Sequence, residues 1–326
     1  MPLARELGKR LLALALVLFL VTLFTAALLS LVPGDPVDTL VPIADTDPRA
    51  QQLKDEVRED LHLDEPFHVR YITWLGDFVT GDLGDYYRVN DTDPVRDRVA
   101  SDLPVSLQLM VYAQVLALVV AIPLGVLTAY RAGSLFDRST NTGAFALLSV
   151  PNFVLGLILA YYVGVFLGWL PPQGYERFSE DPVEHIRRMI LPTVSLAAAQ
   201  VAVYMRLLRS DMVQTLQEDF IQMARSKGIS DRRVLWRHAL RPSSITLLTV
   251  SGLNVGTLIG GALVIERLFS IPGLGQAIFE AINSRQYVAL QGFVAVLAIL
   301  FVLVNFTVDV LYTILDPRIR HVRART

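Results

Sequence analysis

Side chains able to do covalent chemistry are few and scattered along this chain. It has no cysteine, which excludes disulfides, thiolate metal sites and cysteine nucleophiles together. Its five histidines, His62, His68, His185, His238 and His321, lack zinc-ligand spacing. No G-x-x-x-x-G-K-[ST] loop is present to cradle a nucleotide phosphate, and no serine, histidine and acid group into a catalytic set. The residues point away from an enzyme and from any metal or cofactor held by this chain. Charge is concentrated instead in "DFIQMARSKGISDRRVLWRHALRP", residues 219–242. The chemistry open to such a segment is contact.

Two short helices are legible there. Phe220, Ile221 and Ala224 line one face of the first, and Gly228 stands where a helix ends in a left-handed residue. Ser230 can cap a second helix, with Val234, Leu235, His238 and Ala239 on a common face and Pro242 closing it. The pair could lie on lipid headgroups with its arginines on anionic lipid, or dock onto a cytoplasmic partner. A DNA-binding helix-turn-helix fits worse, because apolar spans tie the segment down at both ends.

Those spans dominate the composition. Of 326 residues, 53% are hydrophobic and 18% charged, with mean hydropathy +0.46 and net charge −2; an ordinary globular chain has about 25% charged residues. Crossing a bilayer takes about 20 apolar residues, and six runs qualify, near 11–32, 105–130, 142–170, 189–208, 245–264 and 288–315. The first is longer than a signal-peptide core and reads as a retained helix. Gln108, Gln114 and Gln200 inside the second and fourth runs are expected to face other helices or water. Pro123 and Pro151 fall within runs two and three, as hinges or as static bends. Asp309 is the one acid well inside a run, with Asn305 a turn away; an interior hydrogen-bonded anchor suits it better than a proton relay.

Charge placement orients the chain. Six spans put both termini on one side. By alternation, Arg5, Lys9, Arg10, Arg131, Arg138, the basic loop and the terminal Arg318, Arg320, Arg323 and Arg325 share that face. An excess of Lys and Arg marks it as cytoplasmic. Residues 33–102 on the opposite face carry 17 carboxylates against seven Lys plus Arg. The apolar spacing of Leu53, Val57 and Leu61, then of Phe67, Tyr71, Trp74 and Phe78, predicts a small helical outer segment ended by Gly76, Gly81 and Gly84. The organisation expected is an N-terminus and first span at 1–32, an outer segment at 33–104, and a five-helix core at 105–326 containing the cytoplasmic loop 210–244.

The basic stretch resembles the cytoplasmic EAA loop of ATP-binding-cassette (ABC) importer permeases, in the form used by the peptide/nickel family. "WLGDFVTGDLGDY", "AIPLGVLTAYRAGSLFD", "SVPNFVLGLILA", "LGWLPPQGY", "GGALVIERLFSIPGLG" and "VNFTVDVLYTILDPRIR" extend the likeness in order along the chain. The whole is similar to the B-type membrane subunit of dipeptide and oligopeptide importers. Gln222, Met223 and Ala224 stand where the family's Glu-Ala-Ala would, leaving Asp219 as the acid. Gln286 and Val288 depart from a more usual Arg-Asp-Tyr-Pro.

The resemblance implies an all-α integral membrane protein of the type I ABC importer permease fold with six transmembrane helices, residing in the inner or plasma membrane. It implies as partners a second, C-type permease subunit, two ATP-binding subunits that carry ATP and Mg, an extracytoplasmic solute-binding protein and the lipid bilayer, with no nucleic acid. Phe220, Ile221 and Ala224 would pack in a groove of the ATPase, with Asp219, Arg225, Lys227, Arg232, His238 and Ala239 around them and Gly228 setting the angle. Glu266, Arg267, Pro272, Gly273 and Gly275 would form the outer mouth and touch the binding protein. Dipeptides, oligopeptides, glutathione, nickel chelates and haem are all cargo of such relatives. The competing reading is a membrane-anchored receptor or enzyme acting through its acidic outer segment.

Overall fold

Long apolar runs fold as helices because only a helix bonds every backbone group within its own segment. A computed structural model describes residues 2–33, 35–41, 48–88 and 91–315. The arginines at 318, 320, 323 and 325 lie outside these residues, as do the side chains of Arg5, Lys9, Arg10 and Asp309. The chain forms two compact units, Met1–Ser106 with Pro272–Leu303, and Leu107–Ile271 with Val304–Thr326.

The first unit opens with α1, Pro2–Ser30, followed by α2, Pro36–Leu40, and α3, Pro48–Asp60. The Asp35 carboxylate accepts from Val37 N at 3.0 Å to cap α2 and also accepts from Arg58 of α3. Lys54 donates to Asp38 at 2.7 Å and holds that carboxyl below the usual aspartate range. Helix α4, Phe67–Thr80, follows; Gly76 lies inside it, and Gly81 at φ +93 ends it with its N–H on the carbonyls of Asp77 and Phe78. Phe67, Tyr71, Trp74 and Phe78 recur at helical spacing and form a ladder of stacked rings 5.2–6.3 Å apart.

A hairpin not foreseen from sequence comes next, β1 Asp85–Arg88 paired antiparallel with β2 Asp91–Pro94. The apolar residues of the outer segment fall into two groups, one packed largely within the segment and one packed on the long apolar helices. Tyr71 and Trp74 pack with Leu23 and Ala26 of α1 and with Ala295 of α14, Tyr287–Leu315. Val37, Leu40 and Leu61 gather with Val57 and Val288, whereas Leu53, expected on that buried face, is exposed. Buried Tyr71 Oη lies 2.9 Å from Thr22 Oγ1.

The second unit contains most of α5, Val95–Tyr130, then α6, Leu135–Ser149, and α7, Asn152–Leu159 continued by a π turn to Phe166.

 The run near 142–170 is therefore not one straight helix. Val150 and Pro151 separate α6 from α7 at a bend of 100°, because proline at 151 cannot donate to the preceding turn and biases Val150 to extended backbone. Pro151 thus marks a break between two helices, a sharper bend than a kink inside one. Helix α8, Pro182–Thr215, is capped by Asp181 and packs on α6 and α7, with Pro192 inside it. Then come α9, Asp219–Ser226, the short α10, Asp231–Arg233, a π turn at Val234–Ala239, α11, Leu240–Leu253, and α12, Val255–Phe269. Helix α13, Leu274–Asn283, belongs to the first unit.

Among the described residues, α5, α8 and Tyr287–Val308 of α14 are each long and apolar enough to cross a membrane. The count is five if α6 with α7, and Asp231–Leu253 with α12 (bent by 46°), are each one span; Ala15–Ser30 is a shorter apolar helix.

Candidate functional site

The basic loop is built as two helices locked at their inner faces. In α9, Ile221 is 0% exposed and Ala224 is buried, while Phe220 is 46% and Met223 58% exposed. Helix geometry advances about 100° per residue, which puts Phe220 about 40° from Ala224 and about 60° from Met223. Spacing alone could not decide which side Phe220 joins. The structure turns it outward, so the expected face of Phe220, Ile221 and Ala224 divides: two residues hold the loop together and one is presented. Met223 and Trp236 are likewise exposed large apolar side chains of this loop, which their size and apolarity beside so many charges could have signalled.

Gly228 sits at φ +75, and a Cβ there would meet nothing within 4 Å, so glycine is required by backbone conformation, not by space. Its N–H bonds Arg225 O at 2.9 Å and that of Ile229 bonds Ala224 O at 3.3 Å, ending α9. Ser230 occupies the expected cap position, but only its carbonyl works there, accepting from Arg233 and Val234 at 2.9 and 3.0 Å; its side chain makes no capping bond. Val234, Leu235 and Ala239 are buried and His238 half-buried. Pro242 does not close this helix: Asp231–Leu253 is one run. Proline at 242 has no N–H for the preceding turn, and the wider π turn just ahead of it absorbs the mismatch.

The loop is fastened at its base. Thr215 and Ser243 hydroxyls meet at 2.8 Å, joining the end of α8 to α11. Tyr130 donates to Asp231 at 3.2 Å, and Arg225 lies 3.7 Å from the same carboxylate; these groups are exposed and contribute little. Farther up α8, Arg209 grips buried Asp137 of α6 through two bonds of 2.5 and 2.6 Å. Asp219, Lys227 and Arg232 are exposed.

A second polar group lies along the apolar helices, where Gln114 and Gln200 were expected to avoid lipid. Tyr204 Oη donates to Gln114 Oε1 at 3.2 Å, and Gln114 Nε2 donates to Ser251 O at 3.4 Å. Asn254 Nδ2 donates to Gln200 Oε1 at 3.1 Å, and Gln200 Nε2 to Thr257 Oγ1 at 3.0 Å. The cluster ties α5 and α8 to the break between α11 and α12. Gln108 bonds Tyr112 and Tyr175, and Tyr112 in turn meets buried His185 at 3.3 Å.

The residues expected at an outer mouth separate. Glu266 is fully buried, correcting its expected place on a contact surface, and Arg267 is exposed. The α12 end is closed by Ser270 at φ +55 and by Ile271 N donating to Glu266 O at 2.9 Å. Within the other unit, Pro272 is exposed but Gly273 and Gly275 are buried, since Leu274 N donates to Ser106 Oγ at 2.9 Å and draws the turn inward. Asn305 lies half-buried in α14.

Residues 121–321 match the family model described as binding-protein-dependent transport system inner membrane component, and residues 3–110 match the model of that system's membrane component N-terminal region. The chain belongs to this family of inner-membrane transport components. It is 37% identical over 337 residues to the di/tripeptide transport system permease protein DppB of Pseudomonas aeruginosa, covering 97% of this chain and 99% of the relative. It is 36% identical over 304 residues to the oligopeptide transport system permease protein AppB of Bacillus subtilis, covering 92% and 94%. A chain of the MetNI methionine ABC transporter, solved in inward-facing conformations, aligns with TM-score 0.54 at 17% identity, covering 67% of this chain and 96% of that one. The transport component thus has the ABC importer permease fold, and its bent helix pairs and basic loop lie within the residues matched by the main family model.

Proposed function

We propose that this chain is one of two permease subunits of an ATP-driven importer of peptides, and that the 210–244 loop couples it to partner ATPases. The observation that carries the coupling is the uninterrupted helical run from the exposed loop at Asp231 to Leu253. A force applied at the loop travels along that run to the bend at Asn254, where Gln200 of α8 bonds both Asn254 and Thr257. Phe220, Met223 and Trp236 form the apolar surface that an ATPase grips, and Ile221 and Ala224 keep α9 rigid beneath it. ATP and Mg bind to those partners.

In this reading six spans cross the membrane: α1, α5, the α6–α7 pair, α8, Asp231–Leu253 with α12, and α14. Both termini are cytoplasmic, and residues 33–104 form a helical outer segment. The second permease subunit completes the translocation path, and a solute-binding protein meets the outer face near exposed Arg267 and Pro272. An open apolar groove of about 560 Å³ between α5 and α8, walled by Val111, Tyr112, Val115, Met189 and Thr193, suits peptide side chains without selecting among them. Peptide cargo is supported by the names of the relatives. A receptor or enzyme acting through the outer segment is disfavoured, because Tyr71 and Trp74 of that segment pack on α1 and α14 and the relatives are transport permeases.

The test is reconstitution with the two ATPases, the second permease and the binding protein. Phe220→Asp with Met223→Asp should abolish ATP-driven peptide uptake and release the ATPases from the membrane complex. Uptake at wild-type rate by that double variant would overturn the coupling surface.

A further inference from the structure

Where α1, α4 and α14 meet, the first unit holds a partly open cavity of about 60 Å³. Ala26, Leu29 and Phe67 make its walls apolar, and Arg70, Trp74, Tyr287 and Gln291 bring polar atoms to it. Trp74 is 8% and Gln291 7% exposed. Trp74 Nε1, Gln291 Nε2 and Tyr287 Oη are buried with no hydrogen-bond partner among the described residues. Buried polar atoms are normally bonded, so three orphans in one cavity call for an occupant. The indole and amide nitrogens only donate, as does the Arg70 guanidinium, whose Nη2 also reaches Ser30 Oγ at 3.1 Å. The occupant must therefore be rich in acceptor oxygens.

An adjoining cavity of about 210 Å³ shares Leu61, Arg70, Trp74 and Val288 with the first and is lined by Asp77, Asp82 and Asp85. Donors stand on one side and carboxylates on the other, a spacing of opposite demands that suits a phosphate followed by an amine. The aromatic ladder of α4 has the character of a membrane-interface belt, and apolar helices α1 and α14 flank the cavity. We propose that this pair of cavities binds an amine-headed glycerophospholipid, with the phosphodiester and ester oxygens on Trp74, Gln291, Tyr287 and Arg70, and the ammonium among the three aspartates. The placement rests on the reading of α1 and α14 as membrane spans.

The full-length chain, purified with its co-purifying subunits, is placed in nanodiscs of equal parts phosphatidylethanolamine and phosphatidylglycerol, and retained lipid is measured by native mass spectrometry. Wild type should retain one phosphatidylethanolamine. Trp74→Phe with Gln291→Leu should lower that retention by about tenfold, equivalent to about 1.4 kcal/mol, and Tyr287→Phe, which removes one hydroxyl only, should lower it less. Asp77→Asn with Asp85→Asn should remove the preference over phosphatidylglycerol. Equal retention by wild type and Tyr287→Phe and the double variant, or wild-type retention of both lipids alike, would overturn the site. Wild-type protein lost from carbonate-washed membranes would overturn the membrane placement itself; membrane-bound protein without retained lipid would overturn only the lipid site.

Discussion

Gly228 and Gln286 show how much a single residue's backbone demand can settle. At Gly228 the left-handed conformation costs any other L-residue about 1–2 kcal/mol, although space is open around it. Gly228→Val should relieve that strain by changing the angle between α9 and the following helix, not by unfolding the protein. The expected outcome is ATP hydrolysis that continues while peptide uptake falls several-fold, measured together in proteoliposomes; unchanged uptake would count against the lever. Gln286 was noticed as a departure from the related sequences, and its amide explains itself. Its Oε1 accepts from Tyr87 N at 3.0 Å and its Nε2 donates to Tyr87 O at 2.5 Å, so the side chain acts as a third strand beside the hairpin. A carboxylate cannot donate. Gln286→Glu should therefore destabilise the first unit by about 1–3 kcal/mol, read as a lower midpoint of thermal unfolding in detergent, with Gln286→Glu at low pH partly restored as the acid regains a proton.

Among the elements, the break between α11 and α12 is where the proposed coupling is tested. Its bend of 46° is held by side chains, since Asn254 and Thr257 both bond Gln200 of α8. Hydrogen bonds between membrane helices contribute about 0.6 kcal/mol on average, too little to hold the fold and enough to bias a bend. Gln200→Ala and Asn254→Ala should each leave thermal stability within about 1 kcal/mol of wild type while reducing uptake per ATP hydrolysed. A double variant no worse than either single one would show that the two act through the same bond; fully additive losses would show that they do not.

At the scale of the whole molecule, the orientation is testable with unusual cleanness because the chain has no cysteine. Ser226→Cys in the basic loop should react with a membrane-impermeant maleimide only after the membrane is opened, and Asp64→Cys in the acidic segment should react in intact spheroplasts. The reverse pattern would invert the proposed topology. The same asymmetry of charge explains why a net charge of −2 reveals nothing until the charges are placed on faces.

Composition and spacing by themselves determined that this chain is a helical membrane component with a basic loop turned by Gly228, because apolar length and a left-handed glycine are local properties. They located Gln114 and Gln200 as interior residues for the same reason: an amide in an apolar run has to find a partner. Tertiary structure alone decided which side Phe220 faces, that Pro151 separates two helices while Pro242 sits inside one, and that Glu266 is buried. Each of those outcomes depends on what packs across from the residue. Burial is set by neighbours distant in the chain, and no periodicity within a segment encodes it.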